Sequence, residues 1–203
     1  MKISEYLDNF ASDTPISIIG PLYRSGPMQE PLLFVDGGSN YRIGSAGLSV
    51  GDGDSSDSPM DIPLSADKDY SDLAYALDSI PADYSNVCLS GFLGKRRDHE
   101  YFNLGAAHQF LESRSQPSTI RFEQTIIGYT AGTWNFHREG LFSILSLKDT
   151  WLTLHGDCRY PCRDRTRFRV LDSLGLSNIG HGKIHLQTED PVFVIYENTP
   201  ECR

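Results

Sequence analysis

Four short stretches in the first half of the chain carry the side chains best suited to chemistry. Asp36-Gly37-Gly38-Ser39-Asn40 follows an apolar run. Its glycines permit a tight exit with exposed backbone N–H groups, while Asp36 can point into a crevice. An ordinary Asp-Gly turn would read the same way. In Gly51-Asp52-Gly53-Asp54-Ser55 the two carboxylates project to one side of an extended segment, about 7 Å apart at Cα by strand rise. Held together, they repel unless a cation lies between them. Mg²⁺ ligands and a solvated acidic loop both remain open; a calcium EF-hand does not, since Pro59 and Asp61 displace its glycine and its final glutamate. Asp67-Lys68-Asp69-Tyr70-Ser71-Asp72 leads into a helical pattern, where acids in the first turn are favourable. Capping explains one or two of these acids but not all three. The fourth stretch, Gly91 to Gly94 followed by Lys95-Arg96-Arg97-Asp98-His99, is the basic cluster of this half, and Asn103 lies one helical turn beyond His99. Lys95, Arg96 or Arg97 beside exposed amides at a helix start suit a phosphate.

Together these stretches describe Mg²⁺–nucleotide phosphate chemistry. A Walker A sequence is absent, and so is Gly-x-Gly-x-x-Gly after the first strand. Phosphoryl or diphosphoryl transfer on another α/β scaffold is what remains.

The elements that must position these side chains can be read from periodicity. Strands are expected at Ile16–Ile19, Pro31–Val35, Gly47–Val50 and Asn86–Ser90, each ending at glycine or aspartate. Leu73, Ala76, Leu77 and Ile80 fall on one face of a helix over 71–80. A second helix over 98–111 would stack Phe102, Ala106 and Phe110. Strand–turn–helix repetition predicts an α/β domain over residues 1–118, with a mostly parallel sheet flanked by helices and ligands at the strand ends. Pro117 lies in a polar boundary, and beyond it the helical pattern stops. Short runs at 121–127, 130–137, 142–147, 151–154, 167–170, 183–186 and 192–196, with turns at 155–157 and 178–182, predict a small antiparallel β-sandwich over 119–203.

Composition narrows the function. Of the 203 residues 39% are apolar, and Lys+Arg 18 against Asp+Glu 27 gives a net charge of −9. Residues 1–110 hold 7 basic and 16 acidic side chains, whereas 111–203 hold 11 of each, so the excess lies wholly in the first half. Such a chain should repel nucleic acid and anionic membranes. Its longest apolar runs are strand-sized, and Met1–Glu5 lacks the apolar stretch of a signal peptide. Cys158 and Cys162, with His155, His181 and His185, could be half of a zinc site. No second cysteine pair recurs at matching spacing among Cys88, Cys158, Cys162 and Cys202, so reduced thiols and a cytoplasmic location are expected.

The four stretches, in this order, resemble the thiamine pyrophosphokinase family. That family carries Asp-Gly-Gly-Ala-Asn, Gly-Asp-x-Asp-Ser, Asp-Gln-x-x-Thr-Asp before a helix, and Gly-x-x-Gly-Gly-Arg-x-Asp-His-x₃-Asn-Leu. In the second half Phe142–Leu145, Gly156 to Tyr160-Pro161 and Gly175-Leu176-Ser177-Asn178 are similar to its sandwich motifs, so the likeness runs from about residue 16 to residue 196. It departs at Lys68, Lys95 and Ile179, and in the sixteen residues from Asp36 to Asp52.

The resemblance implies transfer of the diphosphoryl group of ATP to thiamine, releasing AMP. Asp36, Asp52, Asp54 and Asp72 would be the metal and activation acids, and Arg96 a catalytic phosphate clamp. Gly37, Gly38, Asn40, Lys95, Arg96, Asp98, His99 and Asn103 would hold Mg-ATP, with Asp98 and His99 orienting the arginine. Ser177 and Asn178 would contact thiamine, with Trp134 and Trp151 as stacking platforms or as plain core packing. A homodimer through the second domain is implied as well. A related diphosphokinase acting on a pterin or another hydroxyalkyl heterocycle stays open, as does a non-catalytic nucleotide- or thiamine-binding protein.

Overall fold

The computed structural model describes residues 1–25, 28–44 and 46–196, so Cys202 lies outside the described residues. The chain divides into two compact units, Met1–Phe110 and Leu111–Arg203.

In the first unit β1 (Ile16–Ile19), β2 (Leu32–Val35), β3 (Leu48–Gly51), β4 (Ile62–Pro63) and β5 (Asn86–Ser90) line up in the order β5-β1-β2-β3-β4. Neighbours pair in parallel, with Ile18 opposite Leu33 on one side and Leu89 on the other. β1, β2 and β3 are each buried at all four positions, as strands covered on both faces must be. Because the strands share one direction, the loops after β1, β2, β3 and β5 all leave from the same edge.

The helices are α1 (Ile3–Leu7), α2 (Asp72–Asp78) and α3 (Arg97–Glu112). α2 starts after Ser71, whose hydroxyl accepts from the Ala74 N–H at 3.1 Å and caps it. α3 buries Leu104, Ala107, Phe110 and Leu111, but Phe102 is 77% exposed. Phe102 lies two residues from Leu104, about 200° around the helix, and so falls outside the buried stripe.

The second unit contains β6 (Thr119–Phe122), β7 (Ile126–Tyr129), β8 (Gly132–Leu145), β9 (Thr150–Cys158), β10 (Cys162–Phe168), β11 (Asn178–Thr188) and β12 (Val192–Tyr196). They follow the order β10-β9-β11-β8-β12-β7-β6, and every neighbouring pair is antiparallel. A mostly parallel sheet is therefore not borne out for the chain as a whole, which is a mixed-sheet protein with few helices. Parallel pairing needs long crossovers, and the links after α3, such as 123–125 and 130–131, are hairpin-sized.

These seven strands form one hydrogen-bonded series that cannot be flat. β8 and β9 lie on either side of β11, both antiparallel to it, and are joined only by residues 146–149. The end of β8 is beside the Asn178 end of β11, where Phe142 is opposite Asn178, while β9 begins beside Thr188, which faces Leu152. Ten residues of strand separate those ends by about 33 Å. The connection spans at most about 18 Å. The series must coil until the ends meet, and the Leu171 N–H indeed donates to Ser146 O at 2.9 Å. Phe142, Ile144, Leu154, Phe168, Ile184, Leu186, Val192 and Val194 form the buried core of this unit.

Several expected boundaries move. The single strand expected at 121–127 is split between β6 and β7, and those at 130–137 and 142–147 merge into β8. The expected turns at 155–157 and 178–182 lie inside β9 and β11. There glycine serves close approach, not chain reversal: a Cβ on Gly156 would come within 2.3 Å of Lys183 O, where the β9–β11 register shifts. Among the described residues no helix is long and apolar enough to cross a membrane.

Candidate metal and phosphate site

The common strand edge of the first unit gathers the four chemical stretches. After β2 the chain enters a 3₁₀ turn, Asp36–Tyr41, with Asp36 at φ 50°. Gly38 passes so close to the end of β1 that a Cβ would be 2.1 Å from Ile19 O, so no larger residue fits without moving backbone. This turn is bolted to the loop after β3. The Ser55 hydroxyl donates to Asp36 Oδ2, Asn40 Nδ2 donates to Ser55 O at 3.0 Å, and the Asp57 N–H donates to Asn40 Oδ1 at 2.8 Å.

That clamp brings one carboxylate oxygen each from Asp36, Asp52 and Asp54 within 4.8 Å of one another. Asp36 Oδ1 is buried and has no hydrogen-bond partner. A desolvated acceptor without a donor is costly. Hard oxygen donors converging on it fit a divalent cation such as Mg²⁺.

Asp72 is not part of this trio. Lys68 Nζ lies 3.0 Å from Asp72 Oδ1 and 3.0 Å from Asp52 Oδ2, with its side chain only 8% exposed, and it also donates to Ser65 O at 3.1 Å. The Lys68 hydrogen bond, helped by the Asp54 N–H, holds the Asp52 carboxyl below its ordinary range. For Asp72, burial outweighs the pull of Lys68 and raises the carboxyl. For Lys68, burial acts against the charge but its bonds to Asp52 and Asp72 outweigh it, so the ammonium is held more firmly than usual.

The opposite wall is basic. Lys95 takes φ 63° after Gly94, and Arg96 reaches Asp98 through Nε at 3.2 Å and also through Nη2. The Arg96 guanidinium drives the Asp98 carboxyl down to about 2. Asn103 Nδ2 donates to Phe92 O at 2.9 Å, anchoring α3 against the loop after β5. A cleft of about 540 Å³ separates the walls, lined by Asp36, Asp52, Asp54, Lys68 and Asp72 and by Lys95, Arg96, His99 and Asn103. Gly37, Gly38, Asn40 and Asp98 are placed behind this lining: the glycines are buried under the turn, Asn40 clamps the two loops, and Asp98 grips Arg96.

In the second unit the anticipated acceptor residues are engaged internally. Trp134 Nε1 donates to Thr130 O at 2.8 Å, and its ring packs on Tyr129 with centroids 4.9 Å apart. Trp151 carries the Arg165 guanidinium 4.2 Å above its ring. Asn178 is 7% exposed; its Oδ1 accepts from Tyr160 N and Ile179 N, and its Nδ2 donates to Tyr160 O. Ser177 is exposed at φ 58°, and its N–H donates to Ser143 Oγ at 3.0 Å. Sequence reasoning missed two residues of the first-unit site, Ser55 and Lys68. The i, i+4 spacing from Lys68 to Asp72 was the available signal for the second.

No protein-family model matches the sequence, and no curated protein matches it. Solved structures do. The thiamine pyrophosphokinase of Bacillus subtilis superposes with a TM-score of 0.65 at 17% identity, covering 92% of this chain and 100% of that one. The enzyme of Geobacillus thermodenitrificans gives 0.65 at 20% identity over 94% and 100%. That of Candida albicans gives 0.66 at 14% identity over 96% and 90%. Similarity spanning nearly the whole of each chain, at identities this low, is a statement about backbone architecture, and it shows that this chain has the fold of the thiamine pyrophosphokinases.

Proposed function

We propose that this chain is a Mg²⁺-dependent thiamine diphosphokinase, transferring the diphosphoryl group of ATP to the hydroxyethyl oxygen of thiamine and releasing AMP. The observation that carries the reading is one cleft, in this fold, with Asp36, Asp52 and Asp54 on one wall and Lys95 and Arg96 on the other. Asp36, Asp52 and Asp54 would hold the divalent ion, which supplies charge neutralisation on phosphate oxygens. In the reaction the acceptor oxygen bonds to the β-phosphorus as the bond from that phosphorus to the AMP oxygen breaks, and the hydroxyl proton passes to water. Lys95 and Arg96 offset the negative charge that gathers on the transferring and leaving oxygens. Asp98 acts one step back, holding the guanidinium in place. Asp72 stands as an activation acid of the same wall, and His99 and Asn103 as nucleotide contacts from α3.

The domain roles follow as part of this reading, with residues 1–118 catalytic and 119–203 serving acceptor binding and homodimerisation in a cytoplasmic enzyme. Dimerisation through the second unit is supported by apolar side chains left exposed there, at Tyr160, Val170, Leu171, Leu174 and Leu176. The internal engagement of Trp134 and Asn178 favours a second reading, in which the acceptor is a pterin or another hydroxyalkyl heterocycle. Purified protein incubated with Mg-ATP and a panel of such alcohols decides between them. AMP and thiamine diphosphate appearing together support the proposal; AMP with only another acceptor moves the second reading ahead, and AMP with none refutes both.

A further inference from the structure

We infer that His155 and His185 form a surface site for a borderline-soft divalent cation such as Zn²⁺, separate from the acidic cleft, with Asn135 holding one of the two imidazoles in place. The site stands apart from the proposed reaction and does not depend on it.

The register puts the two rings together. β9 and β8 lie on either side of β11, and His185 on the middle strand is directly opposite His155 on one side and Asn135 on the other. Opposed residues of antiparallel strands point to the same face, with Cβ atoms about 4.5–5.5 Å apart. That face is the open one. His155, His185 and Asn135 are exposed, whereas Leu154 and Leu186, each next to one of the histidines, are buried in the core. From such a pair two ring nitrogens can reach one ion at about 2.0–2.1 Å.

The hydrogen bonding of His185 points the same way. Its Nδ1 lies within hydrogen-bond distance of Asn135 Oδ1. An amide oxygen only accepts, so Nδ1 carries the proton and Nε2 keeps its lone pair. The two nitrogens of an imidazole point apart, so a ring that turns Nδ1 to β8 turns Nε2 away from it, to the side of β9 and His155. Metal-binding histidines are held in this manner, with tautomer and orientation fixed through the other nitrogen. Asn135 is thus a positioning residue.

Ligand type selects the cation. Imidazoles suit Zn²⁺, Cu²⁺ or Ni²⁺, whereas Mg²⁺ takes carboxylate and water oxygens. The thiols that the sequence spacing sets beside these histidines turn elsewhere. Cys162 is opposite buried Leu154, and both it and Cys158 pack against the apolar core. Two protein ligands leave the remaining positions on the ion to water. Lys183, two residues from His185 on the same face, adds a positive charge, and Glu139 on β8, 3.7 Å from His137 Nε2, offsets it.

The test reads the rings themselves. The full chain in excess Mg²⁺ is titrated with Zn²⁺ while the side-chain signals of its six histidines are followed by nuclear magnetic resonance. The His155 and His185 signals should move together and saturate at one ion per chain. His99 lines the acidic cleft and reports separately any Zn²⁺ that binds there. His155→Ala should abolish the saturable shift of His185, and His185→Ala that of His155. Asn135→Ala should weaken the site by about tenfold or more, and Asn135→Asp, which keeps the acceptor, should restore it. His181→Ala should bind as wild type does. All of these positions are exposed, so the metal-free proteins should melt within about 2 °C of wild type, which separates loss of the ion from loss of the fold. A His185 shift that survives His155→Ala with an unchanged dissociation constant overturns the inference. So does a wild-type protein in which neither ring responds to Zn²⁺.

Discussion

Asn178 separates a structural role from acceptor binding, because its side chain is already engaged inside the fold. It makes three hydrogen bonds, accepting from Tyr160 N at 3.0 Å and Ile179 N at 2.8 Å and donating to Tyr160 O at 2.8 Å. Together they pin the turn after β9 to the start of β11, at a site 7% exposed. Asn178→Ala removes all three and leaves three backbone groups without partners. At about 1 kcal/mol net for each bond, the loss is about 3 kcal/mol. For a chain of this size that corresponds to a fall in melting temperature of about 6–12 °C. Asn178→Asp keeps both acceptor bonds but sets a carboxylate oxygen against Tyr160 O, so it should recover part of the loss at most. The assay is differential scanning calorimetry of the three proteins, followed by thiamine and ATP titrations at a temperature where all are folded. With a structural Asn178, the Asn178→Ala protein melts lower and keeps both KM values close to wild type. A melting temperature within about 2 °C of wild type, with a large rise in the thiamine KM alone, would refute this reasoning and return Asn178 to the acceptor site.

Asp54→Asn should abolish AMP formation while changing stability by less than about 0.5 kcal/mol, since Asp54 is an exposed member of the acidic trio. Chemical denaturation and an AMP assay on the same sample check both halves. Mg²⁺ should stabilise the first unit by about 2.7 kcal/mol at a hundred times its dissociation constant, and a chelator should reverse this; calorimetry with and without the ion measures it. Asp61 links the β4 segment to β3, accepting from Ser49 N–H at 2.9 Å and pairing with Arg42 at 2.6 Å. Burial works against its charge, but Ser49 and Arg42 outweigh it and lower the carboxyl below 3.8. Its contribution is therefore complete above the ordinary aspartate value and is lost as pH falls through the lower folded value. The stability gap between wild type and Asp61→Asn, measured by urea unfolding, should be full near pH 6 and shrink below about pH 4.

Much of the first-unit site was legible in the sequence because its logic is local. A parallel strand that must be buried on both faces is a short apolar run, and the loop after it leaves at a known edge. Asp36 after Leu32–Val35, Asp52 after Leu48–Gly51 and the basic turn after Asn86–Ser90 were placed together by that rule alone. The second unit was less legible. Glycine marks both a turn and a close approach of strands, and only the pairing of Gly156 with the Lys183 backbone tells which. Its coiled shape follows from register and from a connection too short for a flat sheet, neither of which appears in periodicity.

What the sequence by itself determined, then, is which residue types lie at the ends of which strands, since strand direction converts a linear order into a common edge. Only the tertiary structure decided how those residues share their charges. Asp52 and Lys68 are sixteen residues apart, and nothing in that spacing says that the ammonium placed beside Asp72 will also lie 3.0 Å from Asp52, whose carboxylate meets those of Asp36 and Asp54. The physical reason is that hydrogen bonds and ion pairs are settled over a few ångströms, after the backbone has folded. Composition fixes how many partners are available, and the fold alone chooses among them.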